Sequence, residues 1–501
     1  MPLKKLLFKP GVNRENTRYT TEGGYYDCNK IRFRQGTPEV IGGWQRISSA
    51  TYLGVCRSLW NWVTLGLLNL VGVGTNLKFY IERGGQYNDI TPIRDTVSLT
   101  NPFTFTNGST TVTVTDSAHG AVNGDFVTFS GATISYLGGN VTAAALNKEF
   151  QITYVDANTY TITIGVTPNS TDASNSPAGG TVSAAYQINT GPAVALPVTG
   201  WGAGAWGSGT WGVGSTNYDP LRLWSQINFG EDLIFGPRGG GMYYWDATSG
   251  ITSRGVNLNT LGGASDVPTI QNYIYVSDVS RFVFAFGCND YGSAVQDPML
   301  IRWSDQETAV NWTPAATNQA GSLRLSHGSQ IVTALQSRQE ILVWTDSSLY
   351  SLQYLGAGAG VWGSTLLGDN LSIESQNSAV IASGVTYWMG VDKFYKYDGR
   401  VQTLRCDLRQ YIFSDINTSQ ADQIFAGTNE GFNEVWWFYC SSGSTVVDKY
   451  VVYNYAEDIW YYGTLGRTAW LDSGLRDYPL AATYSNNLVN HEQGLNNNET
   501  A

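Results

Sequence analysis

The stretch EVWWFYCSSGS, residues 434–444, and the stretch DKYVVYNYAEDIWYYG, residues 448–463, decide the fold. Each begins with a run of apolar and aromatic residues and ends in a polar or glycine-containing turn. Aromatic and β-branched side chains fit a pleated surface, whereas serine, glycine and aspartate favour the turns between strands. This part of the chain therefore predicts adjacent antiparallel β-strands.

The same unit recurs along the chain. Copies lie at residues 68–85, 232–250, 340–356, 385–400 and 434–463, with weaker ones at 281–305 and 479–494. After residue 230 they are spaced by roughly 45 to 60 residues, close to the period of four-stranded propeller blades. The repeats predict an all-β fold, a β-propeller of six or seven blades. A long β-sandwich and a β-helix are alternatives, although the turns of a β-helix repeat at periods well below about 40 residues.

A propeller closes most simply when strands from both termini share one blade. The stretch IRFRQGTPEVIGGWQRI, residues 31–47, near the start of the chain, is strand-like. We expect it to pair with the final copy, near residues 480–492.

Two segments interrupt the repeats. Between residues 98 and 190 the composition changes to Thr, Val, Ser, Asn and Ala, and tryptophan is absent, which predicts an inserted small β-barrel or sandwich module. Residues 119–133 and 146–162 resemble a small β-barrel-like module inserted in many phage tail proteins. Residues 191–218 form a Gly/Trp-rich loop. The predicted organisation is an N-terminal arm (1–19), the first part of the propeller (20–97), the insertion, this loop, and the remainder of the propeller with its closing strands (219–501).

Composition limits the possible functions. The net charge is −11, and only 14% of residues are charged. Proteins that grip nucleic acid need clustered Lys and Arg, so this balance argues against a main surface of that kind, although DNA could slide past it. The five cysteines are far apart and are expected to be buried thiols. No secretion signal or membrane span is expected, because Lys9 and Pro10 interrupt the only N-terminal apolar run, and Arg57 and Asn61 interrupt residues 55–73.

The residues that would indicate catalysis are missing from their usual spacings. The three histidines form no H-E-x-x-H motif, and no G-x-S-x-G elbow or EF-hand loop is present. The glycine-rich GPRGGGMYYW, residues 236–245, lacks the Gly-Lys-Ser/Thr ending of a phosphate-binding loop and favours a hairpin turn. Residues 303–312 distantly resemble the Asp-box turn of sialidase-like propellers, which is itself structural. We therefore predict no enzymatic activity, no cofactor and no metal.

The candidate site residues belong to protein interfaces. Indoles on a glycine-rich loop could stack on sugars or enter a pocket of a partner, although they could equally fold back over a blade edge. In the N-terminal arm, three apolar residues beside two lysines would be costly to leave in water, which favours docking over a solvated tail. The predicted interface residues are Lys4, Lys5, Leu6, Leu7, Phe8, Trp201, Trp206 and Trp211.

A long, ordered set of phrases resembles one protein family. It begins with FKPGVNRENTRYTTEGGYYDCNKIRFRQGTPEVIGGW, residues 8–44, and continues with NWTPAATNQAGSLRL (311–325), QEILVWTDSSLYSLQY (339–354), FYKYDGRVQTL (394–404), NEVWWFY (433–439), YVVYNY (450–455) and TLGRTAWLD (464–472). The chain thereby resembles the tail nozzle proteins, also called tail accessory or stabilisation proteins, of short-tailed bacteriophages (podoviruses).

This resemblance implies a structural virion protein made in the bacterial host cytoplasm. Its members form a hexameric tube at the distal end of the tail, below the adaptor and portal, and they carry tailspikes or fibres. The implied partners are other copies of the chain, the head-to-tail adaptor protein, a tailspike or tail fibre, a tail needle or knob, and genomic DNA passing transiently through the lumen. An acidic lumen wall would keep that DNA from sticking.

Two other functions stay open at this point. A virion-associated propeller adhesin would bind or degrade host glycans through its tryptophan loop and insertion. A host periplasmic scaffold is disfavoured, since no export signal is expected. Sugar binding by the isolated chain would favour the adhesin, and ring formation with an adaptor would favour the nozzle.

Overall fold

The computed structural model describes residues 8–17, 19–133, 139–169, 178–197, 218–358 and 360–496. Most of its strands belong to four-stranded antiparallel sheets, seven of which follow one another as propeller blades. The predicted all-β propeller fold is confirmed, and the described residues form seven blades.

Each blade runs from an innermost strand near the axis to an outermost strand at the rim. Blade 1 consists of Cys56–Val63, Asn69–Thr75, Phe79–Arg83 and Gln86–Asp89. Blade 2 consists of Trp224–Phe229, Asp232–Pro237, Tyr243–Trp245 and Val256–Asn257. Blade 3 consists of Tyr273–Val276, Val283–Phe286, Leu300–Trp303 and Gly321–Arg324. Blade 4 consists of Ile331–Gln336, Ile341–Thr345, Ser348–Gly356 and Val361–Asp369. Blade 5 consists of Ala379–Ala382, Val385–Met389, Phe394–Tyr397 and Val401–Leu404. Blade 6 consists of Phe425–Asn429, Glu434–Tyr439, Lys449–Asn454 and Ile459–Thr464.

Blade 7 closes the ring with strands from both ends of the chain. Its first three strands are Ala469–Leu471, Leu480–Ala482 and Leu488–His491, and its outermost strand is Trp44–Arg46. Val489 pairs with Arg46 and His491 pairs with Trp44. The pairing expected between residues 31–47 and the final copy is therefore present, and it joins the two ends of the chain in one sheet.

Large side chains pack between neighbouring blades. The innermost strands of blade pairs 1–2, 2–3, 3–4, 5–6, 6–7 and 7–1 contact each other. Blades 4 and 5 meet through Trp344 and Trp388, whose ring centroids lie 5.5 Å apart. Glycine is needed where a tryptophan of the next blade approaches the backbone, since a Cβ on Gly427 would lie 2.4 Å from Trp470. The aromatic strands of the repeat therefore form the core between the blades.

The N-terminal segment lies outside the blades and covers blade 6. Lys9–Val12 pairs in parallel with Gly24–Tyr25, and Ile31–Arg34 forms a hairpin with Thr37–Val40. Both Lys9–Val12 and the hairpin contact the outermost strand of blade 6. The propeller blades therefore begin later than the predicted boundary at residue 20, because Gly24–Tyr25 pairs with Lys9–Val12 and residues 31–40 pair as a hairpin outside the blades.

The insertion is a two-sheet module. One sheet contains Ile93–Thr100, Thr181–Gln187, Phe126–Ser130 and Glu149–Gln151, and the other contains Phe103–Thr104, Thr111–Thr115, Thr159–Thr163 and Thr153–Asp156. A short helix, Ala143–Leu146, connects Phe126–Ser130 to Glu149–Gln151 within the first sheet. Its first strand begins five residues before the predicted boundary at 98, because Ile93 already pairs with Gln187. The module has a core of its own, which includes Phe103, Val112 and Val127.

The remaining elements are short connections. Leu196–Pro197 pairs with Tyr218–Asp219 at the two ends of the Gly/Trp-rich loop. An α-helix, Arg409–Phe413, and 3₁₀-helices at Ala247–Ser249, Leu258–Thr260, Thr418–Gln423 and Glu430–Phe432 complete the described part. Within this part, no helix is long and apolar enough to cross a membrane, and residues 55–73 contribute to two strands of blade 1.

Candidate functional site

All seven innermost strands begin on one side of the disc, which we call the start face; the opposite side is the far face. Polar side chains bridge the axis at the start face. The Gln376 side chain of blade 5 donates to the carbonyl of Trp224 in blade 2 over 3.4 Å, and Asn377 donates to the carbonyl of Arg57 in blade 1 over 3.3 Å. These bonds run between blades that are not neighbours, so they obstruct the axis of the propeller at this end.

Residues 191–196, which we call the strap, are the first part of the predicted Gly/Trp-rich loop and run across the start face. Arg57 Nη2 donates to the carbonyl of Ala193 over 3.0 Å and to Gln423 Oε1 over 2.7 Å. The amide of Gln420 pairs reciprocally with the backbone of Ala195, over 3.0 and 2.9 Å. Side chains of blade 1 and of the segment entering blade 6 therefore hold the strap in place.

The return from the loop is held by blade 2. Leu196 is paired with Asp219, so the residues that flank 198–217 lie side by side. Arg238 Nη2 donates to the carbonyl of Leu221 over 3.1 Å and forms an ion pair with Asp422 at 2.6 Å. The start face thus fixes both ends of the loop near the propeller axis.

One carboxyl group of this region lies in an unfavourable electrostatic environment. Burial, together with the nearby negative charge of Asp422, raises the pKa of Glu374 from 4.5 to about 7. Its Oε2 atom has no hydrogen-bond partner among the described residues. Both effects favour the protonated form of Glu374 in the folded protein.

The start of the N-terminal segment reaches the same face. Arg14 Nη2 forms an ion pair with Asp27 at 3.2 Å and bonds the hydroxyl of Tyr462, and its guanidinium lies 4.2 Å from the ring centroid of Tyr411. The backbone of Arg14 donates to the carbonyl of Asp407 over 2.9 Å. Segment 405–424 crosses the start face from the end of blade 5 to the start of blade 6, so it contacts both this segment and, through Gln420, the strap.

The insertion is attached on the start face as well. Lys78 lies in the turn between the second and third strands of blade 1, next to the beginning of the innermost strand. Its ammonium contacts Asp89 at 2.7 Å and Glu149 of the insertion at 2.5 Å. Arg254 of blade 2 adds a contact with Glu149 at 3.5 Å. Since the Lys78 side chain is almost fully buried, these pairs fix how the insertion sits on blades 1 and 2.

A separate cavity of about 390 Å³ lies along the axis, lined by Trp60, Tyr273, Tyr275, Asp278 and Gln336 among others. Asp278 is the one carboxylate among the described lining residues, and burial raises its pKa. Glycosidase chemistry uses a pair of carboxyl groups. The arrangement offers stacking surfaces and amide groups for a hydroxyl-rich ligand rather than an acid and base pair.

The Asp-box-like stretch has a structural role in blade 3. It links the third and outermost strands. Asp305 Oδ1 accepts hydrogen bonds from the backbone of Gln306 and Gln319, and the fully buried Trp312 donates from its indole to the carbonyl of Ala309. These contacts order the turn.

The structure locates only one of the predicted interface residues. Phe8 is 59% exposed, and its ring centroid lies 6.0 Å from that of Tyr25. The others, Lys4, Lys5, Leu6, Leu7, Trp201, Trp206 and Trp211, lie outside the described residues. Sequence reasoning did not single out Arg57, Lys78, Gln420 or Gln423, because they are isolated polar residues whose partners are far away in the chain.

The histidine and cysteine side chains would be the candidate metal ligands and disulfide partners. Within the described ranges, no group of three or more His, Cys, Asp or Glu residues could hold a metal ion. All five cysteines are unpaired; four are buried, whereas Cys28 is only partly so. The expectation of buried thiols is therefore wrong for Cys28, which lies in the N-terminal segment at the surface of blade 6 and donates to the carbonyl of Tyr462.

Comparisons with known proteins return structures alone. No family model matches the chain, and no curated protein matches it. Similar solved structures include Hsv2 of Kluyvelomyces marxianus (8% identity, TM-score 0.31, covering 52% of this chain and 72% of that one). The phage phi92 endosialidase (12% identity, TM-score 0.19, 80% and 55%) and the AfRom2 CNH domain (11% identity, TM-score 0.32, 55% and 84%) are also similar. The assignment of the fold rests on the seven blades themselves.

Proposed function

We propose that the protein is a structural component of a phage tail, a nozzle subunit that forms a hexameric DNA exit channel below the adaptor and supports tailspikes or fibres. The observation that carries this proposal is the start face. It holds the ends of the Gly/Trp-rich loop, the start of the N-terminal segment and the insertion, all fixed by buried or multiply bonded side chains. A rigid surface of this kind loses little conformational freedom when a partner binds.

The bridged axis determines what kind of channel this would be. The hydrogen bonds from Gln376 and Asn377 obstruct the propeller axis, so a duplex could not pass through a single chain. A channel would have to be enclosed by several copies around a common axis, as in a closed cyclic oligomer. The net charge of −11 suits a wall that DNA passes without binding.

The test is assembly of the purified chain. We expect mass photometry and electron microscopy to show closed rings of six, alone or after addition of the adaptor protein from the same virion. Replacing Trp201, Trp206 and Trp211 together by alanine should abolish or weaken adaptor binding by at least about tenfold if the loop docks on it.

A matched control uses Val279→Ala, which alters an exposed apolar residue on the far face. It should assemble like the unmodified chain. A chain that stays monomeric with and without adaptor, or an antibody to residues 119–133 that labels only spikes in electron micrographs of purified tails, would refute the proposal.

The axial cavity favours a second candidate, a glycan-binding propeller. Its aromatic residues and amides match the composition of saccharide sites, where flat rings stack on sugars and polar groups fix their hydroxyls. Calorimetric titration with oligosaccharides from the host surface tests it. Binding that Trp60→Ala abolishes would support this function, and absence of binding at millimolar sugar would exclude it.

A further inference from the structure

The far face carries a prominent apolar projection. The turn between the first two strands of blade 1, residues 64–68, has the sequence TLGLL, and we call it the leucine tip. Leu65 is 89% exposed and Leu67 is 85% exposed. Leu475, in the corresponding turn of blade 7, is also exposed, and its carbonyl accepts a hydrogen bond from Asn69. Neighbouring exposed leucines of this kind mark interaction sites.

The leucine tip is ordered despite its exposure. Thr64 and Leu68 are joined by a backbone hydrogen bond of 3.0 Å, and the Leu65 amide donates to the Glu231 carboxylate of blade 2. Leu67 has a φ of 59°, a left-handed conformation that a bulky side chain adopts at a cost. The fold therefore holds two leucines in solvent in a fixed arrangement, one of them in a strained conformation.

A complementary cavity lies on the start face between blades 6 and 7. Its volume is about 470 Å³, and its lining includes Trp44, Val446, Leu465, Tyr484, the cationic Lys30 and Arg467, and the acidic Asp448. The Lys30 ammonium lies 5.6 Å from the Trp44 ring centroid, and the Arg467 guanidinium lies 4.6 Å from it. Trp44 is almost fully buried, yet its indole N–H has no acceptor among the described residues.

The leucine tip and this cavity match in chemistry. The tip offers two exposed apolar side chains and the adjacent Glu231 carboxylate, which forms no ion pair within the described residues. The cavity offers an apolar wall, an indole donor and two cationic side chains, against one carboxylate, Asp448, whose oxygens already accept hydrogen bonds from Ser441. Burial of leucines stabilises a contact, and opposite charges select the partner and its orientation.

We propose that the leucine tip of one copy of this chain inserts into the cavity between blades 6 and 7 of the next copy. Because the tip and the cavity are different surfaces, the contact is heterologous, and repetition of such a contact closes a ring when the rotation between copies allows it. The discs would then stand face to face around the ring. This inference rests on the assembly proposed above and identifies the surfaces that form it.

The first test is the double variant L65D/L67D. Both side chains are exposed, so the fold should be retained, as circular dichroism and thermal unfolding will show. We expect the dissociation constant between copies, measured by analytical ultracentrifugation, to rise at least tenfold. Val279→Asp, a change of the same kind at an 86% exposed position on the far face, should leave it unchanged.

The second test is a disulfide between the two surfaces. Val446 is 40% exposed at the cavity, so a chain carrying both L67C and V446C should form a covalent ladder on mild oxidation. Neither single cysteine variant should form this ladder. Dimers formed by L67C alone and joined through position 67 of both copies, as peptide mapping would show, would overturn the proposal, because they would place the tips against each other.

The outcomes separate this proposal from the function above. Rings that persist in L65D/L67D, with no ladder from the double-cysteine chain, would refute the proposed contact and leave the nozzle function intact. A chain that never assembles, with or without adaptor, would refute both.

Discussion

Arg32 lies almost fully buried between two carboxylates from distant parts of the chain. Its Nε contacts Glu434 at 2.9 Å and its Nη2 contacts Glu492 at 2.6 Å. Burial raises the pKa of Glu434, although Arg32 opposes this effect. The cluster of Arg32, Glu434 and Glu492 connects the N-terminal hairpin to blade 6 and to the residue that follows the third strand of blade 7.

Replacing Arg32 by methionine should destabilise the protein by about 3–5 kcal/mol, because it leaves buried carboxylates without a cation. Urea unfolding at pH 7 measures the loss, which should shrink at low pH as the carboxylates become protonated. The control is Arg405→Met, whose side chain is 90% exposed and should change stability by no more than about 0.5 kcal/mol. Equal stability of the two variants would show that the cluster contributes little.

Glu374 should make the stability of the protein fall as the pH rises, whereas the Arg32 cluster stabilises the protein more at neutral than at low pH. Its pKa is about 7 in the folded protein against 4.5 ordinarily, so between those values the native state retains a proton that the unfolded chain has lost. The free energy of unfolding should therefore fall as the pH rises from 4.5 to 7. Glu374→Gln should be more stable than the unmodified protein by about 1–3 kcal/mol at pH 8 and equal to it near pH 4. Thermal unfolding across pH, with Glu22→Gln as an exposed control, measures the difference.

Single residues of this kind were not predictable from the sequence. Arg32 lies in a strand-like stretch and Glu434 begins the stretch that decides the fold, yet nothing in their spacing shows that they meet. Buried polar partners depend on how blades 6 and 7 pack, and hydrophobic periodicity does not encode that packing.

The strap gives a prediction for one structural element. Gln420→Ala removes both hydrogen bonds to Ala195. The backbone amide of Ala195 should therefore exchange with solvent at least about tenfold faster, which corresponds to a loss of roughly 1.4 kcal/mol in the free energy of local opening. Hydrogen exchange followed by mass spectrometry over residues 188–197 measures it. Gln402→Ala, which removes a contact with the exposed Asp398 on blade 5, should leave this exchange unchanged.

The insertion should be removable. Its ends are joined where the amide of Ile188 donates to the carbonyl of Pro92 over 3.0 Å, so two glycines can replace residues 93–187 without moving the blades. Lys78 keeps its ion pair with Asp89 in the shortened chain. We expect a single cooperative thermal transition within a few degrees of the full chain's. Failure to fold would show that blades 1 and 2 need the module.

At the scale of elements, the sequence predicted the repeated aromatic strands and the inserted module well. It misplaced the hairpin at residues 31–40, which lies on blade 6 instead of within a blade, because a short strand pattern does not show which sheet it joins. The inserted β-module also begins before the point at which the composition of the chain changes. Ile93 directly follows blade 1 and already pairs within the module, although the Thr-rich part of the sequence starts later.

The whole molecule depends on the closing strand. Deleting residues 1–46 removes the outermost strand of blade 7, Trp44–Arg46, and leaves an exposed sheet edge. It also removes Arg32, so its buried carboxylate partners lose their cation. We expect loss of cooperative unfolding and aggregation in size-exclusion chromatography. Deleting residues 1–7 alone should leave the monomer's thermal transition unchanged. A cooperative, monomeric 47–501 fragment would show that the ring closes without this strand.

Closure by both ends also constrains how the protein is made. Arg46 leaves the ribosome early, but its partner Val489 is synthesised only when the chain is almost finished. Contacts this distant in sequence form slowly, and the waiting strands expose aromatic surface to other nascent chains. Production in a host cell should therefore respond strongly to chaperone supply and to temperature during translation.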